Sequence, residues 1–259
     1  MTLRTLSTWH VAAALLLCSG CFDSEDAPES PCYLMYYSEE SGNNSVDESY
    51  TYDQANKVIS IYRSSQTGSN YSSSDVEFKY DKNGRLTSIS NLYDGSGSSY
   101  TYDTKGRTTS IIWTNSNRVQ YFKHEYTYNA NGQMSKLQTF NLVNSTLTKS
   151  TSYVYEYPNK DTRNYSKRSS FSATDVAQSV LTFTYDTKKN PWNTVNPFDP
   201  QNTTNNITKY VSSNAAGTSS TTYNFTYTYS AKGFPLTFSG GSGSGSSTSY
   251  SFSYSNCSR

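Results

Sequence analysis

Phe78-Lys-Tyr80-Asp81-Lys-Asn-Gly84-Arg85-Leu86-Thr-Ser-Ile89 decides the architecture of this chain, because it recurs. Tyr100-Thr-Tyr102-Asp103-Thr-Lys-Gly106-Arg107-Thr-Thr-Ser-Ile111 and Tyr126-Thr-Tyr128-Asn129-Ala-Asn-Gly132-Gln133-Met134-Ser-Lys-Leu137 follow it. Tyr50-Thr-Tyr52-Asp53-Gln-Ala-Asn56-Lys57-Val58-Ile-Ser-Ile61 precedes it, and Tyr227-Thr-Tyr229-Ser230-Ala-Lys-Gly233-Phe234-Pro-Leu-Thr-Phe238 comes late. Aligned on the Gly or Asn, two aromatic columns stand before the turn and one aliphatic or aromatic column after it. The aromatic columns are two residues apart and so share one face of a strand. Between the strands, Asp or Asn opens a turn by bonding its own backbone. The Gly or Asn then adopts the left-handed conformation that a bulged hairpin requires. Asp53, Asn56, Asp81, Gly84, Asp103, Gly106, Asn129, Gly132 and Gly233 are thus assigned to turns. Each unit reads as a β-hairpin, an aromatic strand followed by an aliphatic one.

Degenerate copies extend the series. Tyr153-Val-Tyr155-Glu-Tyr157 keeps the aromatic strand without the Gly, and Phe183-Thr-Tyr185-Asp186 runs into Asn190 to Pro200, whose three prolines exclude a central strand. The chain closes on Tyr250-Ser-Phe252-Ser-Tyr254, an aromatic strand with no partner after it in the sequence. The expected fold is all-β: one antiparallel meander of about 14 strands, too many to stay flat, forming a strongly curved sheet or a partly closed barrel. No amphipathic helix of any length is expected after residue 20.

Composition agrees. Tyr number 25, Ser, Thr and Asn abound and aliphatic residues are scarce, which suits sheet with half-wet faces. Net charge is +1 with no basic stripe, so nucleic acid is not expected as a partner. The strands alternate Tyr with Ser, Thr and Lys and lack the apolar band of a membrane-spanning barrel.

At the N-terminus, Arg4 precedes the apolar run Val11 to Leu17, too short to span a bilayer but suited to a signal peptide. Leu17-Cys18-Ser19-Gly20-Cys21 then resembles the lipobox of bacterial lipoproteins, with Cys18 where Leu is commonest. The resemblance implies cleavage after residue 20 and lipid on Cys21, making the bilayer a partner. Residues 1–20 are thus read as signal peptide, 21–31 as a flexible acidic tether and 32–259 as the β domain. The cluster Asp23-Ser-Glu25-Asp26 is similar to acidic signals that send lipoproteins to the outer face of the outer membrane, and reads equally as solvated linker. An outer-membrane lipoprotein, at the cell surface or the periplasmic face, is the expectation. Cys32 and Cys257 remain at the two ends of the domain and are expected to form a disulfide, closing a loop of about 225 residues for a gain of roughly 5 kcal/mol in the chain-entropy picture.

The hairpin units resemble YD repeats, the Tyr-Asp…Gly-Arg-Leu repeats of Rhs-type and teneurin-type proteins. Tyr80, Asp81, Gly84, Arg85 and Leu86 match fully, and Tyr102, Asp103, Gly106 and Arg107 match with Thr108 in place of Leu. Large YD-repeat proteins coil their hairpins into a shell around a toxin. This chain is more similar to small YD-repeat lipoproteins of Gram-negative bacteria, including Lys189-Asn190-Pro191 and Asn205-Asn206. That resemblance transfers no catalytic residue.

No metal or cofactor is expected. After residue 20 the chain has one histidine, His124, assigned to a strand surface, and the Gly-rich run 240–245 has no phosphate-loop spacing. The Tyr columns read as cross-strand ladders rather than as a binding face. The function expected is a non-enzymatic structural or binding role, with a glycan or an envelope protein as ligand. A carbohydrate-binding accessory protein is one alternative. A hydrolase is another, and would need clustered carboxylates.

Overall fold

The computed structural model describes residues 32–241 and 248–255. The signal peptide, the tether with Cys21, and Cys257 lie outside the described residues. Sixteen strands form one antiparallel sheet: β1 (Tyr33–Ser41), β2 (Asn44–Tyr52), β3 (Val58–Thr67), β4 (Asn70–Tyr80), β5 (Leu86–Asn91), β6 (Gly97–Tyr102), β7 (Thr108–Thr114), β8 (Gln120–Tyr128), β9 (Met134–Val143), β10 (Thr146–Glu156), β11 (Lys167–Ser172), β12 (Ala177–Lys189), β13 (Asn205–Asn214), β14 (Ser220–Tyr229), β15 (Pro235–Gly241) and β16 (Thr248–Ser255). Every strand pairs with its sequence neighbours, and β1 pairs with β16, so the sheet is a closed barrel. Two more strands are present than the 14 expected, and the barrel is closed rather than partly closed.

Closure explains the strand that lacked a partner. β16 pairs with β1 from Tyr33↔Ser255 to Glu40↔Ser249. The last aromatic strand finds its aliphatic partner in the first strand of the domain, and the eighth hairpin unit is split between the two ends of the chain. The Cys32-Tyr-Leu34 start of β1 carries no turn signal, which hid it as half of a repeat.

The columns face inward. Tyr50 pairs with Ile61, Phe78 with Ile89, Tyr100 with Ile111, Tyr126 with Leu137 and Tyr227 with Phe238. They build two core clusters, one around Leu34, Tyr50, Val58 and Leu86, the other around Ile111, Tyr126, Leu137 and Tyr155. The alternate residues point outward and are mostly polar: Thr51 pairs with Ser60, Lys79 with Ser88, Thr127 with Lys136 and Thr228 with Thr237, while Ile59, Tyr62 and Val154 are exposed exceptions.

A ring of sixteen strands encloses more space than its own side chains fill. The segment 190–204 occupies part of it. It contains the only helix among the described residues, the single turn α1 (Trp192–Val195). Trp192 packs edge-on against Tyr37 at 5.1 Å and against Phe252 at 6.1 Å, on the β1–β16 wall. Phe198 reaches Tyr102 at 6.0 Å, and its carbonyl accepts the Thr108 hydroxyl at 2.6 Å, on the β6–β7 wall. The segment is a plug across the lumen. It stands where the β12–β13 hairpin would otherwise carry an Asp-x-x-Gly turn, at the same rim as the other turns. Among the described residues no helix is long and apolar enough to cross a membrane.

Candidate functional site

The turn rim is built from the repeat motif, residue by residue. In each tight turn the fourth residue returns its N–H to the first carbonyl: Asn56 to Asp53, Gly84 to Asp81, Gly106 to Asp103, Gly132 to Asn129 and Gly233 to Ser230, at 2.9–3.0 Å. Those fourth residues have φ of 62, 76, 77, 81 and 78°. One carboxylate oxygen of Asp81 accepts the N–H groups of Asn83 and Arg85, both at 2.9 Å, and its other oxygen accepts the Arg85 side chain at 2.8 Å. Asp103 repeats this with Lys105 and Arg107. The backbone N–H of Arg85 or Arg107, followed by its guanidinium, holds each carboxyl below the usual carboxylate range.

The Arg then reaches the next repeat. Arg85 lies over the Tyr102 ring at 4.9 Å and Arg107 over the Tyr128 ring at 4.4 Å; in the first copy Lys57 lies over Tyr80 at 5.3 Å. The Tyr hydroxyl reaches back. Tyr80 donates to the Val58 carbonyl, Tyr102 to Leu86, Tyr128 to Thr108, Tyr157 to Met134, Tyr185 to Tyr165, Tyr227 to Ile207, Tyr254 to Pro235 and Tyr52 to Leu34, all at 2.5–2.9 Å. Eight such bonds circle the barrel, one for each hairpin unit. Burial pushes these phenols up, Tyr80 and Tyr157 to about 12, so each stays a donor. Sequence reasoning placed the Tyr on one face but missed this ring. Its signal was a cation after the turn in three successive copies, one repeat away from a Tyr.

Asp186, at the Asp position of its repeat, keeps the bond from the Lys188 N–H at 2.9 Å and adds others. With the plug inserted after it, its carboxylate accepts the Asn206 N–H at 3.1 Å and the Tyr229 hydroxyl, stapling β12 to β13 and β14. The Asn190 side chain accepts the Trp192 N–H at 3.1 Å, just ahead of the plug helix.

Between the plug and the 157–166 loop the turn rim opens into a cleft of about 340 Å³, walled by Arg107, Tyr128, Gln133, Lys160, Arg163 and Phe198. Gln133 stands at the Arg position of its repeat. Freed from an acidic partner, its amide donates to the carbonyls of Asn159 and Thr162 at 2.8 and 2.7 Å and fixes the loop. The Arg163 guanidinium donates to the Asp199 carbonyl at 2.9 Å, tying the loop to the plug. Asp199 is itself half-buried, and desolvation raises its carboxyl. The cleft therefore presents Lys160 and Arg163 over an aromatic floor, with Arg107 in its wall held by Asp103. Asp161 is the one carboxylate among its described lining residues, whereas glycoside hydrolysis uses a pair. No cluster of His, Cys, Asp and Glu that could hold a metal occurs among the described residues.

His124 is not on the strand surface as expected. It shares parity with Tyr126 and Tyr128 and points inward, with its ring 4.7 Å from Trp113 and 4.8 Å from Phe122 and its Nδ1 3.1 Å from the Tyr126 hydroxyl. Burial pushes it down to about 4, so it is neutral at pH 7. Cys32 is buried and disulfide-bonded where β1 begins, at the turn rim.

One solved structure shares the fold of this chain, and others resemble it more distantly. A porin-like protein from Bacteroides uniformis superposes with a TM-score of 0.60 at 13% identity, over 88% of this chain and 99% of that one. A porin-like protein from Bacteroides vulgatus gives 0.44 at 14% identity, over 87% and 99%. The Photorhabdus luminescens Tc holotoxin pore gives 0.23 at 11% identity, over 75% and 14%. No curated protein matches the sequence. The RHS Repeat family model matches residues 80–112, which span the two fullest copies of the motif. Residues 80–112 thus carry Rhs-type YD repeats, and the hairpins built on the same pattern close into a barrel of sixteen described strands.

Proposed function

We propose that this chain is an envelope lipoprotein, anchored through Cys21, whose barrel has a non-enzymatic binding role exercised at the turn-rim cleft. The observation that carries the reading is the polarity of the barrel. Its aromatic columns face inward and its Ser, Thr and Lys face outward, the reverse of a membrane-spanning barrel, which turns an apolar band to lipid. A barrel of this polarity suits an aqueous compartment, and lipid on Cys21 supplies its attachment to the outer membrane. The cleft, with Lys160 and Arg163 beside Tyr128 and Phe198, suits an acidic saccharide: cations for its charge and rings for its sugar faces.

Two measurements test this. Cys21→Ser should move the protein from the carbonate-washed membrane fraction to the soluble fraction; a variant that stays in the membrane and is processed normally sinks the anchor. On a glycan array the mature chain should select acidic glycans, and Lys160→Glu with Arg163→Glu should lower that signal at least tenfold. An array with no signal would rule out the saccharide and leave an envelope protein as ligand.

A further inference from the structure

On the far side of the plug from the turn rim, the barrel mouth holds a second, open cavity, of about 350 Å³. Phe122 and His124 of β8, Thr139 of β9, Tyr153 of β10, Arg168 of β11 and Gln201 of the plug stand around it. Tyr153 and Leu137 belong to the core on its floor, and Arg168 pairs across strands with Tyr155, which is buried in the same core.

Arg168 sets the chemistry. Its guanidinium lies 5.2 Å from the centre of the Tyr153 ring and 6.0 Å from that of Phe183. Its Nε is the one buried side-chain polar atom without a hydrogen-bond partner among the described residues. No ion pair among the described residues includes it, while Arg63, Arg85 and Arg107 each have a carboxylate. His124 beside it is neutral. The cavity therefore carries a single uncompensated positive charge between aromatic walls. The guanidinium is half-buried, with its Nε shielded from water and unpaired, and its planar fork matches a carboxylate.

We infer that this cavity binds a small monocarboxylate with an aromatic or other apolar body, its carboxylate on Arg168 and its body against Phe122 and Tyr153. One cation balances one negative charge; a phosphate dianion would need a second cation, and none lines this cavity. This site is separate from the turn-rim cleft and does not depend on the reading given to it.

Isothermal titration of the mature chain carrying Cys21→Ser with sodium benzoate tests the proposal. Benzamide, the neutral molecule of the same shape, and inorganic phosphate serve as comparisons. Saturable benzoate binding is expected, at least tenfold tighter than benzamide and tighter than phosphate. Arg168→Gln should abolish the preference for benzoate over benzamide. Thr139→Leu, which keeps the charge but fills the cavity, should weaken benzoate at least tenfold. Lys160→Glu in the turn-rim cleft should leave it unchanged. Should Arg168→Gln fail to fold, judged by near-ultraviolet circular dichroism, Thr139→Leu and the benzamide comparison decide. Equal binding of benzoate and benzamide, tighter binding of phosphate, benzoate affinity unmoved by Thr139→Leu, or no saturable benzoate binding would each overturn the inference.

Discussion

The Tyr of the YD motif is held by its hydroxyl as much as by its ring. Tyr128→Phe leaves the ring in the core and removes one donor, so the Thr108 carbonyl loses the hydroxyl that it accepts at 2.6 Å. A cost of about 1–2 kcal/mol is expected in urea unfolding, against no change for Tyr93→Phe, whose side chain is 87% exposed. His124 offers a second test. Its folded value of about 4 lies below the unfolded 6.5, so the unfolded chain binds the proton more readily between these values. The stability it confers is complete above pH 6.5 and lost as pH falls toward 4, a difference of roughly 2 kcal/mol once solvent screening is allowed for. His124→Gln should flatten that part of the urea midpoint–pH curve; an unchanged slope would place the ring in water. Asp81 and Gly84 could be assigned from sequence because their bonds close within five residues. The Arg85–Tyr102 contact spans one repeat, and the inward face of His124 followed from parity with Tyr126 that single-residue reasoning passed over.

Hairpin and plug differ in how far sequence announces them. The turns are local: Gly106 has φ of 77°, and a Cβ there would meet nothing within 4 Å. Its replacement is therefore a test of backbone conformation alone. Gly106→Val should destabilise the domain by about 1–2 kcal/mol, whereas Gly106→Asn should cost less than half as much, because Asn tolerates left-handed backbone and Asn56 already holds this position in the first copy at φ 62°. Equal losses in chemical denaturation would show that something other than φ selects glycine. The prolines of 190–200 showed that the segment was no central strand. Its destination was not legible, because the space it enters exists only once sixteen strands have closed, and its contacts with Tyr37 and Tyr102 join walls far apart in sequence. Trp192→Ala should cost about 3–5 kcal/mol in urea unfolding if the plug is part of the core, and under 1 kcal/mol if it merely rests on it.

For the barrel as a whole, the repeat count told of many strands and strong curvature, while closure was written in no single segment. It depends on Leu34 and Tyr37 standing opposite Tyr254 and Phe252 respectively, a match visible only when the two ends of the chain are laid side by side. We propose that Cys32 is bonded to Cys257, which follows closely on the Ser255 that pairs with Tyr33. Peptide mapping without reductant should recover the two cysteines linked, and Cys257→Ser should lower stability by about 2–5 kcal/mol. Recovery of Cys32 linked to any other thiol would refute the pairing.

The split eighth unit has a consequence for how the chain can be drawn. In a closed ring of like hairpins no junction is privileged, so the β1–β16 seam is one of several places at which such a ring can be opened. A gene that joins the present ends through a short peptide and opens instead at the exposed Asn144-Ser145 turn, where both residues already sit at positive φ, would encode the same sixteen strands in rotated order. The seam would become an ordinary hairpin, and β9 and β10 would become the pair that the two ends must find.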